Sequence, residues 1–255
     1  APADRLTQAA FERLEGIGDD PFFLYLHYMD VHYPYLPPHE FQQGFEFARV
    51  PGKRDGDIQH TWLKEIDLDS AQNENIEEHA RGLYDSEIVF CDHWIGKLLD
   101  WLEARGLNDK TMVIITSENG EEFLEHGNTI HKAKLYEELV HVPLAIRIPG
   151  VAPKRIDGVV RTFDVMPTIL DYCGLTSDGL TLDAQSLRPL IEGDSAESPR
   201  VAFASFPARS SREAPSHRHM APVGQYKLLL DLDAPTQSEL YDMDADPGER
   251  TNRFE

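Results

Sequence analysis

Side chains able to do chemistry are concentrated directly after the apolar run "MVIIT" at 112–116. Glu118 and Asn119 follow this run at once, and His131 and Lys132 lie further along the same polar segment. Glu118 and Asn119 carry side-chain oxygens, which are the ligands that Ca²⁺ and Mg²⁺ prefer in proteins. The pair is only part of a metal site, because calcium usually takes six to eight oxygens. Further ligands must therefore come from elsewhere.

A second polar cluster follows the apolar run "FFLYLHY" at 22–28, where His32 precedes a Tyr-Pro dipeptide. His32 and His131 could donate hydrogen bonds to a developing charge or handle protons. Lys132 is a compact cation that could pair with a substrate anion. A metal, a lysine and histidines together suit displacement at a tetrahedral oxyanion, sulfate or phosphate, where most of the catalysis is charge stabilisation.

Each of these residues also has a plain structural interpretation. His32 could be a packed loop histidine, and Asn119 begins an Asn-Gly dipeptide, which is a strong turn signal. Lys132 could be a solvated surface lysine. The neighbouring acidic side chains are predicted to form a solvated face rather than to bind a ligand; these are Glu121, Glu122 and Glu125.

The elements that would position the candidate residues follow an α/β pattern. Apolar residues three and four positions apart predict helices, over 4–16, 75–105 and 162–175. Apolar runs predict buried strands at 22–28, 111–116 and 141–150. The alternation of strands and helices predicts an α/β fold with a mostly parallel sheet flanked by helices. Such folds bind their ligands beyond the carboxyl ends of the strands, where both polar clusters would lie.

The last part of the chain differs in character. Short apolar runs separated by turns predict a small antiparallel, strand-rich subdomain. We therefore predict an α/β domain over 1–195 and a strand-rich subdomain over 196–255. Internal repeats and low-complexity segments are absent from the sequence.

Composition limits the classes of partner. The 24 Lys+Arg and 45 Asp+Glu residues give a net charge of -21, which argues against nucleic acid as a partner. A local cluster of cations or a metal could still hold a small anion. No run is long and apolar enough to cross a bilayer. Cys91 and Cys173 are the two cysteines, so no disulfide framework is implied and both are predicted to be free. Compartment and oligomeric state are left open.

Several segments resemble the sulfatases of the alkaline phosphatase superfamily, in the family's order and through nearly the whole chain. The segments are "FFLYLHYMDVHYPYLPP", "YDSEIVFCDHWIGKLLDWLEARGLNDKTMVIITSENGEEFLEHG", "KLYEELVHVPLAIRIPG", "FDVMPTILDYCGL" and "SELYDMDADPGERTN". The second is similar to the family's helix, strand and aspartate-asparagine/histidine-glycine motif, and the third to the family's lysine loop and the strand after it. The resemblance implies an alkaline phosphatase-like fold and a sulfuric ester hydrolase.

The resemblance also implies roles for individual residues. Glu118 and Asn119 would form the downstream half of a calcium (or magnesium) site, although the family usually has aspartate where Glu118 stands. Lys132 would contact the sulfate and its leaving oxygen. His32 would bind the sulfate group and protonate the leaving alcohol, with His131 as a further candidate. A sulfate ester is the implied substrate.

The family's upstream motifs are expected to lie before this chain in family order. They are the first metal-binding aspartates and the Cys-x-Pro-x-Arg motif, whose cysteine becomes the formylglycine nucleophile. Neither Cys91 nor Cys173 begins such a motif. We therefore expect a C-terminal portion of a sulfatase that hydrolyses no sulfate ester alone. Two alternatives stay open: a phosphoric or phosphonic ester hydrolase or phosphotransferase of the same superfamily, and a non-catalytic truncated relative.

Overall fold

The chain divides into two compact units. The computed structural model describes residues 1–18, 20–45, 72–132, 134–176, 179, 181–193, 200–206 and 218–254. Unit 1 contains Ala1–Met112 and Phe123–Ile130, and unit 2 contains Val113–Glu122 and His131–Glu255. The boundary expected between 195 and 196 stays a prediction.

Unit 1 is built on two helices that pack against each other, α1 (Ala3–Glu15) and α2 (Gln72–Ala104). Phe11 of α1 stacks on Trp101 of α2, with the ring centroids 5.7 Å apart. One face of α1 is buried because its apolar and small residues recur three or four positions apart. The buried residues of α1 are Ala3, Thr7, Ala10 and Leu14. Both helices predicted for this region are confirmed.

Two hydrophobic clusters form the core of unit 1. The first brings Tyr35, from the loop after His32, onto α2 and onto Phe123; its buried members are Tyr35, Ile76, Ala80, Leu83 and Phe123. The second lies where α1 meets α2, and its buried members are Ala3, Phe90 and Cys91. The loop that follows His32 is therefore anchored by a fully buried tyrosine.

The segment predicted as a buried strand at 22–28 is not a strand, so that prediction is wrong. Its side chains alternate between exposed and half-buried, as in extended backbone, but it forms no ladder with any described residue. Phe23 and Tyr25 are 77% and 74% exposed. The hydrophobic run encodes extended backbone, but burial requires neighbouring strands that the described residues do not supply.

A short hairpin connects the two units in sequence. Its strands, β2 (Glu122–Phe123) and β3 (Thr129–Ile130), form a two-stranded sheet. The boundary between the units falls inside β2. Elsewhere in unit 1, 3₁₀ turns occur at His39–Phe41 and Asn108–Lys110.

Unit 2 begins with β1 (Val113–Thr116), which pairs antiparallel with β4 (Leu144–Arg147). In their register Val113 lies opposite Arg147 and Thr116 opposite Leu144. Both strands were predicted, and both are confirmed as strands. The end of β1 is exposed at Ile115 and Thr116, so this strand is less buried than its apolar sequence indicates.

The tail of unit 2 forms a four-stranded antiparallel sheet in the order β5-β6-β7-β8. The strands are β5 (Ala204–Phe206), β6 (Arg218–Val223), β7 (Tyr226–Asp231) and β8 (Glu239–Asp242). The sheet packs on the segment that precedes the third helix, and the buried members of this core are Leu135, Tyr136, Met220, Leu229 and Tyr241. The predicted strand-rich tail is confirmed.

Three helices complete unit 2: α3 (Glu137–Val140), α4 (Val165–Tyr172) and α5 (Arg188–Glu192). A 3₁₀ turn at Thr162–Asp164 leads into α4. Pro167 lies in the first turn of α4, where its missing N–H costs no helical hydrogen bond. The predicted helix over 162–175 is therefore confirmed, with shorter limits.

Every strand pair of known register within the described part of the chain is antiparallel. The parallel pairing expected of the α/β pattern is not seen among these residues. Among the described helices, none combines the length and the hydropathy needed to span a membrane.

Candidate active site

The turn after β1 holds Asn119 in one orientation. The Ser117 hydroxyl donates to the backbone carbonyl of Asn119 at 2.7 Å. The Asn119 side-chain amide nitrogen donates to the Gly120 carbonyl at 2.8 Å. Because the nitrogen is used in this way, the side-chain oxygen of Asn119 is the atom left to bind a cation. Glu118, one residue earlier, is exposed.

Gly120 allows this turn to lie directly on α3. Its backbone N–H donates to the Leu139 carbonyl at 2.9 Å. A Cβ added to Gly120 would lie 1.9 Å from the backbone oxygen of Glu138, a distance that real side chains do not adopt. Glycine at this position is therefore required by close packing of two backbones, rather than only by the turn.

Glu121 reaches from this turn to the lysine loop. Its Oε1 lies 2.9 Å from His131 Nδ1, and the two side chains are 4% and 33% exposed. Glu122 is fully buried, so the prediction that these acids form a solvated face is wrong for Glu121 and Glu122. Glu125, in unit 1, is half-buried and pairs with Arg81 at 3.0 Å.

The loop that carries Lys132 is anchored by the residues that follow it. Lys134 places its Nζ 5.7 Å from the centroid of the Tyr136 ring. Burial lowers the pKa of Lys134, and the nearby Arg218 lowers it further. The Tyr136 hydroxyl donates to Glu239 at 2.8 Å. Lys132 itself is exposed, so of these two lysines Lys132 is the more accessible.

A buried ionic cluster holds α3 in place. Lys227 of β7 lies 2.8 Å from Glu137 and 2.9 Å from Glu249, and its side chain is 4% exposed. Glu249 also accepts the backbone N–H of Glu137 at 2.6 Å. The carboxylates and the ammonium are thus paired, as buried charges must be. Through α3, the cluster fixes the backbone on which Gly120 rests.

His32 lies in unit 1, whereas the other candidate residues lie in unit 2. Its side chain is exposed, and its Nδ1 lies 2.6 Å from the Tyr33 carbonyl oxygen. Because a carbonyl only accepts, Nδ1 carries the hydrogen in this contact. The backbone N–H of Leu36 donates to Glu87 of α2 at 2.7 Å, which secures the loop from its other side.

The side-chain ligands that unit 2 offers are of the chemical type that a hard divalent cation prefers. Glu118 and Asn119 provide a carboxylate and a neutral oxygen. Sequence reasoning missed two further carboxylates, Glu122 and Glu138, whose potential ligand atoms lie within 4.8 Å of one another. The side-chain oxygens of Glu118, Asn119, Glu122 and Glu138 are of the kind suited to calcium or magnesium. The group within 4.8 Å also includes a ring nitrogen of His126. The sequence gives no periodic signal for Glu138, because it is brought to the turn only by the packing of α3 on Gly120.

Both cysteines are free, as predicted. Cys91 is buried in α2, and its burial, with the nearby Asp30 and Glu87 carboxylates, raises its pKa to about 12. A thiol with so high a pKa is a poor nucleophile near neutral pH. Cys173 is exposed after α4.

Two family models match the chain. The Sulfatase model matches residues 2–175, and the model of the N-sulphoglucosamine sulphohydrolase C-terminal region matches 125–255. The chain belongs to the sulfatase family. Sulfatases generally use a divalent metal.

Individual relatives agree with this assignment. The chain is 33% identical over 185 residues to arylsulfatase K of Mus musculus, covering 70% of this chain and 33% of that protein. It is 29% identical over 182 residues to N-acetylglucosamine-6-sulfatase of Homo sapiens, covering 69% of this chain and 33% of that protein. The chain thus spans about a third of the length of these curated relatives.

Solved structures share the fold. A phosphonate monoester hydrolase from Silicibacter pomeroyi superposes with a TM-score of 0.79 at 20% identity, over 96% of this chain and 54% of that one. BT4656, solved with its substrate D-glucosamine-2-N,6-O-disulfate, superposes with a TM-score of 0.74 at 21% identity, over 98% of this chain and 64% of that one. The predicted alkaline phosphatase-like fold is therefore confirmed.

Proposed function

We propose that this chain is the C-terminal part of a sulfuric ester hydrolase that cleaves sulfate esters with a divalent metal. The observation that carries the proposal is the sulfatase family match over residues 2–175, because it includes all five candidate residues. Within unit 2, the contact between Glu121 and His131 supports it, since it links the turn of Glu118 and Asn119 to the loop of Lys132.

The proposed roles follow the chemistry of each side chain. Lys132, an exposed ammonium, pairs with the sulfate and its leaving oxygen. His32 binds the sulfate group and protonates the leaving alcohol, with its Nδ1 committed to the Tyr33 carbonyl. His131, next to Lys132 on the same loop, is a further candidate for contact with the sulfate ester.

Glu118 and Asn119 hold the calcium (or magnesium) ion in this proposal. When bound, the cation neutralises charge on the sulfate oxygens. The nucleophile of the family, formylglycine, is expected from a Cys-x-Pro-x-Arg motif, which the 255 residues do not contain. The residues of this chain therefore bind and orient the ester and move a proton at its leaving oxygen.

Calcium titration by calorimetry tests the metal half of the proposal in a complete enzyme that carries this chain together with the upstream metal ligands. One methylene more than aspartate displaces the Glu118 carboxylate, and calcium tolerates this better than the near-octahedral magnesium. We expect preference for calcium, tighter binding by Glu118→Asp and weaker binding by Asn119→Ala. A Glu192→Asp variant, changed at an exposed position of α5, is the matched control. If neither site variant changed calcium affinity, the pair would be an ordinary turn.

Ester hydrolysis can be tested in a chimera. Residues of this chain would replace the matching region of the N-acetylglucosamine-6-O-sulfatase of Bacteroides thetaiotaomicron, to which it is 29% identical over 176 residues. We expect turnover of a sulfate ester, reduced about 100-fold or more by Lys132→Ala and by His32→Ala. Lys154→Ala and His39→Ala, at exposed positions, should leave the rate unchanged. Turnover of an aryl phosphonate ester but not of a sulfate ester would favour the alternative hydrolase.

A further inference from the structure

The turn that carries His32 lies against one row of side chains on α2. Leu83, Glu87 and Cys91 are four residues apart, so they lie on one face of the helix, about 6 Å from one to the next along its axis. All three are buried. The row therefore offers an apolar side chain, a carboxyl group and a thiol, in that order, to the chain that crosses it.

The backbone before His32 is held at the Cys91 end of this row. Backbone groups of Asp30 and Val31 form hydrogen bonds with the Cys91 thiol. The Asp30 carboxyl group in turn accepts the backbone N–H of Ala3, the first residue of α1, at 2.9 Å. The two residues that precede His32 are thus attached to both helices of unit 1.

The backbone after His32 is held further along the same row. Glu87 Oε1 accepts the backbone N–H of Leu36 at 2.7 Å. Tyr35, which is fully buried, shares a hydrophobic cluster with Leu83. His32 is therefore fixed through the main chain on both sides, although its own side chain is exposed.

We propose that Glu87 and Cys91 are positioning residues for His32. Both are buried, so they act through the main chain that carries the histidine. The proposal rests on the proposed function, in which His32 protonates the leaving alcohol. Proton transfer needs the ring within about 2.6–3.2 Å of the leaving oxygen, and a displacement of about 1 Å caused by a distant change can cost about 100-fold in rate. Holding the turn on both sides of His32 supplies that precision.

The chemistry of this step gives the proposal a distinctive readout. As the nucleophile forms its bond to sulfur, the bond from sulfur to the leaving oxygen breaks. That oxygen keeps the electron pair and takes the proton that His32 holds. A sugar alcohol is a poor leaving group without the proton, whereas nitrophenolate leaves readily as an anion. A displaced His32 should therefore slow the hydrolysis of a sugar sulfate much more than that of 4-nitrophenyl sulfate.

The kinetic test uses the chimera with the N-acetylglucosamine-6-O-sulfatase, with N-acetylglucosamine 6-sulfate and 4-nitrophenyl sulfate as probes. Glu87→Met removes the acceptor but keeps the side chain long. We expect kcat/KM to fall about tenfold or more for the sugar sulfate and less than about threefold for the aryl sulfate, and the same contrast in Cys91→Ala. Glu87→Gln keeps an acceptor oxygen for the Leu36 N–H and should retain the native rates. Glu103→Met, at an exposed position of α2, is the control and should change neither rate.

Hydrogen exchange in the same enzyme tests the turn without any substrate. Mass spectrometry of the peptide covering 29–36 should show amides that exchange about tenfold faster or more in Glu87→Met and in Cys91→Ala, because backbone groups lose their partner in each variant. Glu87→Gln should exchange like the native enzyme. The peptide covering 226–231, a strand of unit 2, is the internal control and should keep its native rate.

The outcomes separate this proposal from the proposed function. Unchanged exchange at 29–36 in both variants, or equal losses of rate on the two esters, would overturn the positioning role. Equal losses together with faster exchange at 226–231 would mean that Glu87 and Cys91 serve stability alone. If the native chimera hydrolysed neither ester, the proposed function would fail, and exchange at 29–36 would still decide whether the two residues hold the turn.

Discussion

Glu87 is a buried carboxylic acid on α2. Its residue is 4% exposed, and burial raises its pKa from 4.5 to about 7, although the hydrogen bond from the Leu36 N–H opposes the rise. The folded chain therefore binds more protons than the unfolded chain between pH 4.5 and about 7. Stability due to this group falls as pH rises through that window and is constant above it.

The first prediction is that Glu87→Gln stabilises the chain at about pH 8 by up to about 3 kcal/mol, with a gain that shrinks toward pH 5. Glutamine removes the buried charge and still accepts the Leu36 N–H. Urea unfolding of both proteins at the two pH values measures the effect. Glu103→Gln, exposed on the same helix, is the control. An equal stability difference at both pH values would contradict the raised pKa.

Residue types near the site could be predicted from the sequence, but the burial of individual acids could not. Asn119 and Lys132 stand out because an amide and an ammonium follow an apolar strand. From the sequence, Glu121 and Glu122 are predicted to be solvated, since adjacent acidic residues usually are. Their burial depends on the return of the chain at His131, a contact between residues ten positions apart that no helical or strand period encodes.

At the scale of elements, the turn after β1 depends on its support by α3. Gly120→Ala should destabilise the chain by about 1–3 kcal/mol, because the added Cβ would meet the Glu138 backbone at 1.9 Å. Calcium affinity should fall about tenfold or more as Asn119 is displaced. Gly158→Ala is the matched control, since its Cβ would meet only an Ile156 side-chain atom at 4.0 Å. Unchanged stability and affinity in Gly120→Ala would mean that the turn does not rest on α3.

The ionic cluster of Lys227, Glu137 and Glu249 should contribute strongly to the position of α3. Lys227→Met leaves the fully buried Glu249 carboxylate without its cation, so we expect a loss of about 3–5 kcal/mol. Adding Glu249→Gln should recover part of that loss, because the uncompensated charge is gone. Lys154→Met, on the surface of the same unit, should change stability little. A loss below about 1 kcal/mol for Lys227→Met would show that the cluster is not a structural support.

The sequence predicts the helices better than the strands, and β6 shows why. Helices α1 and α2 have long apolar stripes, which are local signals. Strand β6 was missed because Arg218–Val223 contains Pro222 and few apolar residues. Among the described residues, β5 pairs with residues 218–220 of β6 and Pro222 pairs with β7 only, so the structure tolerates Pro222. Which strands become neighbours is decided by distant parts of the chain.

At the scale of the whole molecule, net charge opposes self-association, whereas exposed apolar surface favours it. A net charge of -21 makes copies of the chain repel one another. The extended segment 21–29 exposes Phe23 and Tyr25 and forms no ladder with described residues, which is the kind of surface that associates with other chains. Salt shifts this balance, because the Debye length falls from about 30 Å at 0.01 M to about 8 Å at 0.15 M.

The last prediction is that self-association rises with salt. Light scattering should show a mainly monomeric chain at about 0.01 M NaCl and growing association at and above about 0.15 M, because screening lets the exposed segments meet. Phe23→Ser with Tyr25→Ser should remove most of this dependence and reduce the binding of a hydrophobic dye. Phe203→Ser, a substitution at an exposed aromatic residue of unit 2, should leave the salt dependence of association unchanged. Association that fell as salt rose would indicate contacts between charged surfaces, and association that persisted in the double variant would place the interacting surface outside 21–29.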